Sequence, residues 1–536
     1  MMRNHLILFF TVFLTGLIWL ILVPIWHFPD EQAHFGQVAF IAEKGRNPRG
    51  NELDLTEEIY VSEKLLGTTR DNLGNNKFTF HPEYRIEYTD SLIGKYEASI
   101  AAFTKTSAKN TFVHQEAARY PQLYYIPASV IYKLFYTQDL FTRVFAVRFW
   151  SLLLFTITVY ITYKIGTLLF PTDKLFAQVL TILVGFQPMM VFSNVGVNSD
   201  ALGNLIFTLF IFSCLQLISF GLSKKSIILS FFISSLAIYA KPQFIVTVPI
   251  IFFLFIFIYI RDHQKTPWHK IIVKSSVLLF LSLLLLNLMR LGTVNLIIET
   301  VVRFNLESFI KFTREYTLTH TVSEVLPWYW GVYDWLGVTY PRSVHRIINR
   351  ILAVSLIGFI YWLMRSFRKE NRKKKEVQSI YFLILINLIF FGALAVYDWY
   401  SWYTTGYQLG VQGRYYFPLI STHMIILLIG WQSLFVWIKK LKYLPVLFLE
   451  ISMITLNFVA LYTISVTYYS LSSFSVFISQ VSQYKPWFVK GPVLVFIFIL
   501  LLFTLIKLIY QQVISLRNME MKLKSDAIKR FDTPIL

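Results

Sequence analysis

Long apolar runs separated by short polar segments recur from one end of the chain to the other. A helix needs about 20 apolar residues to cross a bilayer core of about 30 Å, and about twelve runs approach that length. The pattern therefore predicts an all-α, polytopic transmembrane protein. The predicted spans are 6–23, 144–166, 175–194, 201–220, 226–240, 243–260, 271–290, 347–364, 378–396, 415–437, 444–467 and 492–510.

One further run, Pro121–Tyr136, is apolar but short and rich in tyrosine. Tyrosine at this density favours the membrane interface. If this run crossed the membrane, the basic loops 365–377 and 438–443 would lie on the side opposite to the N-terminus. A helix that lies on the surface instead places every strongly basic loop on the side of the N-terminus, so we predict an interfacial helix.

Basic residues set the predicted orientation, because Lys and Arg are enriched in cytoplasmic loops. They cluster in the loop 365–377 and in the tail 511–536. We therefore predict that both termini are cytoplasmic. The large extracytoplasmic segments are then the first loop, 24–143, a second loop, 291–346, and a short segment before the tenth span.

The second loop opens with residues 298–311, in which charges of alternating sign recur at four-residue steps beside apolar residues. That spacing predicts another interfacial amphipathic helix. The two halves of the chain show no repeat, so the predicted organisation is a single integral-membrane unit over residues 1–536.

The composition agrees with a membrane protein, since 55% of the 536 residues are hydrophobic and only 15% are charged. The net charge of +20 could suggest a nucleic-acid partner. The basic residues lie in short segments between apolar runs, however, so we predict a lipid bilayer and no nucleic acid as the partner. The single cysteine, Cys214, lies inside an apolar run, which excludes an intrachain disulfide and favours an inert packed thiol.

Polar residues that need an explanation gather at the predicted outer ends of the spans. Ionisable groups at such a boundary are costly to keep, so they usually mark a site. Separate parts of the chain bring acids, an arginine and aromatic rings to one level, which is typical of a site that faces outward. These residues are Asp30, Glu31, Asn198, Asp200, Trp330, Asp334, Gln412 and Arg414.

Glycosyl transfer from a lipid-linked donor is one chemistry that this set of residues suits. Lipid phosphates can present a sugar at the outer leaflet, where nucleotide-activated donors are normally absent. The reaction needs a base for the acceptor hydroxyl, a cation for the departing phosphate and aromatic surfaces for the sugar. The predicted outer level contains each of these types of residue.

Short motifs carry a resemblance to a known group. Pro29-Asp30-Glu31 after the first span, a large first outer loop with interfacial helices and a second acid after the third span resemble the GT-C superfamily of integral-membrane glycosyltransferases that use polyprenyl-phosphate sugars. Three further motifs resemble a bacterial membrane branch of that superfamily: Asn198-Ser199-Asp200, Trp330-Gly331-Val332-Tyr333-Asp334-Trp335 and Gln412-Gly413-Arg414-Tyr415-Tyr416-Phe417-Pro418.

The resemblance implies a GT-C-like fold, a bacterial plasma membrane and an extracytoplasmic active site. It implies that Asp30 is the catalytic base of an inverting transfer to a cell-envelope acceptor and that Asp200 is a supporting acid. Glu31 is a further candidate for the catalytic group. Arg119 lies near the place where some relatives carry a phosphate-binding lysine.

Several other residues are expected to bind the substrates. A guanidinium matches phosphate oxygens, so Arg414 is expected to contact the donor phosphate together with Arg148, Arg119 or Arg342. The remaining candidates for substrate binding are Asn198, Gln412, Asp334, Trp330 and His34.

A divalent cation, Mg²⁺ or Mn²⁺, stays open as a cofactor. Asp30, Glu31, Asp200 and His34 could supply hard ligands, yet the sequence has no metal motif of fixed spacing.

Each candidate also has a simpler interpretation. Asp30 and Asp200 could cap the helices that follow them, and Glu31 could interact with a helix dipole. His34 could be an ordinary hydrogen-bonded histidine, Arg414 could reach lipid headgroups, and the aromatic residues of the second loop could form an interfacial belt.

The alternative function is a transporter or flippase for lipid-linked glycans. Such a protein would be expected to show internal repeats or polar groups near the bilayer midplane, and this sequence shows few.

Overall fold

The protein is an all-α, multi-pass membrane protein, as predicted. Its structure is a computed structural model that describes residues 2–49, 55–71, 74–84, 88, 93–103, 105–113, 121–262, 293–435 and 443–531. Within these residues, eight helices are long and apolar enough to cross a membrane, or nine if one bent pair is counted as a single span. The predicted span 271–290 lies outside the described residues.

The first half of the chain begins with an apolar helix and a helical first loop. Its helices are α1 (Met2–Leu22), α2 (Glu31–Lys44), α3 (Glu57–Leu66), α4 (Ile93–Ala102), α5 (Thr106–Asn110), α6 (Tyr125–Leu134), α7 (Leu140–Leu169), α8 (Lys174–Gly185), α9 (Pro188–Val195), α10 (Asp200–Phe220), α11 (Lys224–Ala240) and α12 (Thr247–Asp262). A 3₁₀ segment, Pro242–Val246, leads into α12.

The second half contains the other long helices. They are α13 (Thr293–Val302), α14 (Leu306–Phe312), α15 (Leu318–His320), α16 (Leu326–Trp330), α17 (Arg342–Ser366), α18 (Lys369–Arg372), α19 (Lys375–Thr405), α20 (Ile420–Phe435), α21 (Leu444–Tyr468), α22 (Phe474–Val481) and α23 (Gly491–Phe531). A 3₁₀ segment, Gly413–Leu419, precedes α20.

Two small antiparallel hairpins complete the described structure. The strand β1 (Leu55–Thr56) pairs with β2 (Phe112–Val113), and β3 (Val332–Tyr333) pairs with β4 (Val338–Thr339). The main core lies between the helices, where α7 packs against α1, α8, α9 and α10.

The predicted span 175–194 is a broken helix. The axes of α8 and α9 differ by 60°. The break falls at Gln187 and Pro188, because a residue before proline is pushed away from helical dihedral angles. The Gln187 side chain accepts a hydrogen bond from the Met190 backbone N–H and so caps the new helix.

The ends of α10, α12 and α19 show which loops share a side of the bundle. Arg261, at the end of α12, donates to Ile218 O at 2.9 Å and to Gln378 Oε1 at 3.1 Å. Residue 241, which joins α11 to α12, therefore lies at the opposite end, together with the start of α10. We call that end the site end.

The segment 121–136 differs from its prediction in one respect. Its helix α6 has ten residues, a length of about 15 Å that is too short to cross a membrane. Its tyrosines are not a lipid-facing belt, however, since Tyr124, Tyr125 and Tyr132 are buried in the protein. They lie between α2 and α7, where polar partners satisfy their hydroxyl groups.

The predicted helix over 298–311 is interrupted. The helix α13 ends at Val302, and the side chain of Asn305 caps a new helix by accepting from Ser308 N at 2.8 Å. Asparagine is a favoured N-cap residue, which explains the restart at this point.

From residue 306 to residue 330 the chain is helical without a break, and we call this segment the 306–330 helix. It contains two π-helical segments, Thr313–Thr317 and Thr321–Val325. Five of its buried positions are spaced by five, three, five and three residues, and the five-residue steps fall in the π-segments, which keep one face turned inward. These positions are Phe312, Thr317, His320, Val325 and Trp328.

Candidate functional site

Asp30 lies at the turn between α1 and α2. Its backbone is in the left-handed region, with φ 54° and ψ 24°, which is uncommon for a residue other than glycine. Within the described residues its side chain caps no backbone N–H of α2. The carboxylate instead accepts a hydrogen bond from Arg414 Nη2 at 2.8 Å. The ion pair, and not helix capping, is the contact that Asp30 makes here.

The charge state of Asp30 is set by opposing effects. Burial raises the pKa of Asp30, but the Arg414 guanidinium, with smaller contributions from His34 and Arg70, outweighs burial and holds the pKa at about 2. The carboxyl group is therefore ionised at neutral pH. About a third of the side chain, 36%, is exposed, so an incoming group can reach it.

Arg414 is held in position by its neighbours. Its Nε donates to Gln412 Oε1 at 2.9 Å, and its guanidinium lies over the Tyr415 ring. Between the two residues, Gly413 allows the chain to pass very close to the 306–330 helix, because a Cβ atom there would lie 2.3 Å from Tyr329 N. The absence of a side chain at Gly413 thus permits close contact with the protein's own backbone.

Asn198 and Asp200 connect the start of α10 to the turn that contains Asp30. Asn198 Oδ1 accepts from Asp200 N at 2.8 Å, while Asn198 Nδ2 donates to Pro29 O at 3.0 Å. Asp200 is the first residue of α10, and its carboxylate forms an ion pair with Lys241. Asn198 therefore fixes the spacing between the two acidic residues.

The charges of this region form one group. Asp200 and His34 both interact electrostatically with Arg414 and Lys241, and Asp30 interacts with Arg414 and His34. We call Asp30, Asp200, Lys241 and Arg414 the four-charge cluster. It contains two acids and two cations, which lie at the site end of four different segments of the chain.

His34 lies one helical turn after Asp30 and is buried. Its Nδ1 lies 2.5 Å from the Tyr125 hydroxyl, and the two rings are stacked. Burial lowers the pKa of His34 to about 4, although Asp30 and Asp200 act to raise it. His34 is therefore neutral at pH 7 and adds no charge to the four-charge cluster.

Glu31 and Arg148 form a separate, fully buried ion pair. The five N–H donors of Arg148 all have acceptors: Glu31 takes two at 2.8 and 2.6 Å, and the carbonyl groups of Leu20, Val23 and Pro24 take three. The carboxylate of Glu31 also accepts from two backbone N–H groups. Neither group has capacity for a substrate, so we reassign both from the reacting site to its support.

The other described candidates make no described hydrogen bond or ion pair with the four-charge cluster. Arg342 begins α17 with an exposed side chain, and no described hydrogen bond or ion pair joins it to the cluster. Trp330 is buried and packs edge-on against Tyr329. Asp334 is fully buried beside His27, with Asp334 Oδ1 3.4 Å from His27 Nδ1. Arg119 lies outside the described residues.

A metal centre finds little support in this arrangement. No group of three or more His, Cys, Asp and Glu side chains that could hold a metal ion occurs among the described residues. Glu31 is committed to Arg148, and each acid of the four-charge cluster is already paired with a cation. As paired in this structure, these residues do not form a ligand set for Mg²⁺ or Mn²⁺.

Lys241 is the functional candidate that the sequence analysis missed. It is the single residue between α11 and the 3₁₀ segment before α12. A signal was present, because this lysine stands between two apolar runs at their predicted outer ends, where an ionisable group is costly to keep. Its partner, by contrast, is visible only in the folded protein.

Comparison with protein families places the chain in a family of membrane proteins. The model of the family DUF2142, described as a predicted membrane protein, matches residues 13–422, which is more than half of the chain. The protein therefore belongs to the DUF2142 family. No curated protein matches the chain.

Among solved structures, the chain is similar to the oligosaccharyltransferase of Archaeoglobus fulgidus, which was crystallised as a complex with Zn and sulfate. The alignment has a TM-score of 0.41 and 10% sequence identity. It covers 84% of this chain and 53% of the archaeal protein. The chain thus spans about half the length of that structure.

Proposed function

We propose that this protein is a glycosyltransferase that moves a sugar from a polyprenyl-phosphate donor to an acceptor on the extracytoplasmic side of the membrane. The observation that carries the proposal is the four-charge cluster. It places an ionised, partly exposed carboxylate 2.8 Å from a guanidinium, so a base and a phosphate-binding group lie side by side. Asp30 and Arg414 come from widely separated parts of the sequence.

The residues suit a single displacement at the anomeric carbon. Asp30 takes the proton from the acceptor hydroxyl, and the acceptor oxygen forms a bond to the anomeric carbon. The bond from that carbon to the phosphate oxygen breaks, and the polyprenyl phosphate leaves with the electron pair, which inverts the configuration. Arg414 stabilises the charge that develops on the phosphate, because charge-assisted hydrogen bonds are strong in a site with little water.

The function is tested by replacing Asp30 in cells. We expect Asp30→Asn to keep the fold and to lower transfer by about 10²–10⁴, the usual contribution of a general base. The measurement is a mass-spectrometric comparison of envelope glycans from cells that express the wild type, the variant or no protein. Glu307→Gln, which removes an exposed carboxylate on α14, is the matched control.

The outcome also identifies the product, since the structure of the glycan that is lost shows which sugar is transferred and to which acceptor. Wild-type glycans from Asp30→Asn at equal expression would contradict the proposed base. If the purified wild type instead moved a lipid-linked glycan across vesicle membranes without transferring the sugar, the transporter alternative would replace the enzyme.

The side of the membrane has its own test. The only cysteine, Cys214, is buried, so new cysteines can be labelled against a low background. We expect cysteines at Ser323 and Tyr403 to react with an impermeant reagent from outside the cell, and a cysteine at Asn371 to stay unreacted. A third position, near Gly50, lies outside the described residues. Labelling of Asn371 from outside would place the site end on the cytoplasmic side and remove the proposed donor.

A further inference from the structure

Lys241 is a basic residue that stands alone between two apolar helices. The loop 365–377 is strongly basic and lies at the end of the bundle where α19 begins. Lys241 lies at the other end, between two apolar helices. An ionisable group between two apolar helices is costly to keep unless its charge is paired. The position of Lys241 therefore calls for a specific partner.

The structure shows how the lysine reaches the four-charge cluster. Its aliphatic stem lies across α10 at Gly203, where a Cβ atom would come within 3.1 Å of Lys241 Cδ. Gly203 follows Asp200 by one helical turn, and this path carries the ammonium group to the Asp200 carboxylate. The side chains of Lys241 and Asp200 are 20% and 13% exposed, so the pair is open to an incoming group.

The charges of the four-charge cluster cancel. Asp30 and Asp200 contribute two negative charges, Arg414 and Lys241 two positive charges, and His34 is neutral. A phosphate that binds between the cations must therefore compete with carboxylates that already hold them. A phosphodiester offers several acceptor oxygens, and both a guanidinium and an ammonium group bind phosphate well.

We propose that Lys241 is a second cationic contact for the donor phosphate, and that donor binding exchanges both carboxylate–cation pairs for phosphate–cation pairs. The inference rests on the proposed function and extends it to the order of binding. When Arg414 turns to the phosphate, Asp30 loses the cation that keeps it a weak base. The base is then released only after the donor has bound, and the acceptor binds second.

The proposed exchange predicts opposite changes in donor affinity when Lys241 and Asp200, the two members of one ion pair, are replaced. Lys241→Gln removes a phosphate contact, so the affinity for farnesyl phosphate should fall roughly tenfold to a hundredfold. Asp200→Asn removes the competitor for Lys241, so the affinity should rise severalfold. Lys241→Arg keeps the charge and should retain most of the binding. Lys311→Gln, on the exposed part of α14, is the matched control and should leave the affinity unchanged.

Binding is measured with the purified full-length protein in detergent, with farnesyl phosphate as the probe and farnesol as the uncharged control. Thermal unfolding of each variant establishes that it is folded. Competition by inorganic phosphate or by phosphatidylglycerol identifies the source of the anion. The proposal requires that farnesyl phosphate binds more tightly than either competitor, and displacement by phosphatidylglycerol at equal concentration would overturn it in favour of bulk lipid headgroups.

The two proposals fail in distinguishable ways. If Asp200→Asn weakens binding as much as Lys241→Gln does, the pair is structural and the exchange is wrong, even if the glycans still depend on Asp30. If the variants follow the expected order but Asp30→Asn cells keep wild-type glycans, the anion site stands and the glycosyltransferase function falls.

Discussion

Asp30 and Glu31 are neighbours in the sequence, and each pairs with an arginine, yet the two ion pairs are built differently. Glu31 and Arg148 are completely buried, and the five N–H donors of Arg148 are all used within the protein. Asp30 and Arg414 leave a third of the carboxylate exposed, and one hydrogen bond joins them. The Glu31–Arg148 pair thus holds the backbone next to the Asp30–Arg414 pair in place.

The difference separates a supporting ion pair from a reacting one. A buried pair with every donor satisfied has no capacity for a ligand, and removing one partner leaves an uncompensated charge. A pair with a partly exposed carboxylate costs less to separate, because solvent and an incoming anion can replace the lost contact. If the Glu31–Arg148 pair supports the fold and the Asp30–Arg414 pair reacts, substitutions in the two pairs should have different effects.

The largest expected effect is on folding. Arg148→Met and Glu31→Gln should each lower the free energy of unfolding by about 3–5 kcal/mol, the usual cost of removing one partner of a buried pair. Asp30→Asn should lower it by about 1 kcal/mol or less. Unfolding in mixed micelles measures all three. Equal destabilisation by Asp30→Asn would mean that both pairs are structural.

The second prediction concerns the backbone that presents Arg414. Gly413→Ala would place a methyl group 2.3 Å from Tyr329 N, so the segment carrying Arg414 has to move. A displacement of about 1 Å can cost about 10² in rate, and we expect a loss of that size in transfer. Gly392→Ala, where a Cβ atom has open space, is the control. Normal transfer by Gly413→Ala would show that the position of Arg414 is not critical.

A smaller effect is expected at Gln412, which accepts a hydrogen bond from Arg414 and so positions its guanidinium. Gln412→Ala removes the acceptor for Arg414 Nε, so the KM for the donor should rise about tenfold, with a smaller change in kcat. Gln412→Glu keeps an acceptor oxygen and should recover most of the loss. A fall in kcat alone, with KM unchanged, would contradict a role in binding the donor.

The smallest effect is on the pH dependence. The pKa of Asp30 in the free protein is about 2, so the Asp30–Arg414 pair contributes stability above the ordinary pKa of the acid and loses it as the pH falls towards 2. Hence kcat/KM, which reports the free enzyme, should show no acid limb from Asp30 above about pH 4. If the donor draws Arg414 away, the acid limb of kcat should lie at higher pH. Identical limbs would contradict the exchange.

Apolar runs were enough to predict the class of the protein and the location of most helices. The same runs hid the break at Gln187 and Pro188, since a proline inside an apolar run can either end a helix or bend it. The sequence also did not show that Tyr124, Tyr125 and Tyr132 are buried. Composition suggested an interface with lipid, whereas His34, Ser151 and Arg143 supply the polar partners inside the protein.

For the site, the sequence was sufficient to select the residues but not to predict which acid pairs with which cation. Asp30, Asp200 and Arg414 were selected from three separate segments, and the structure brings them into one charge network. The assignment of arginines to acids needs three-dimensional geometry, so Arg148 was counted with the phosphate contacts. Lys241 was passed over because its partner comes from another helix.

The 306–330 helix connects the exposed residue Leu306 to the loop that carries Arg414, and its two π-segments set the rotation between these two ends. Each residue of an α-helix turns the chain by about 100°, so deleting one residue from α14, outside the π-segments, would rotate Tyr329 by about that angle relative to Leu306. The Tyr329 backbone would then no longer meet Gly413. A one-residue deletion in α14 should thus uncouple a distant loop, although no side chain of the four-charge cluster is altered.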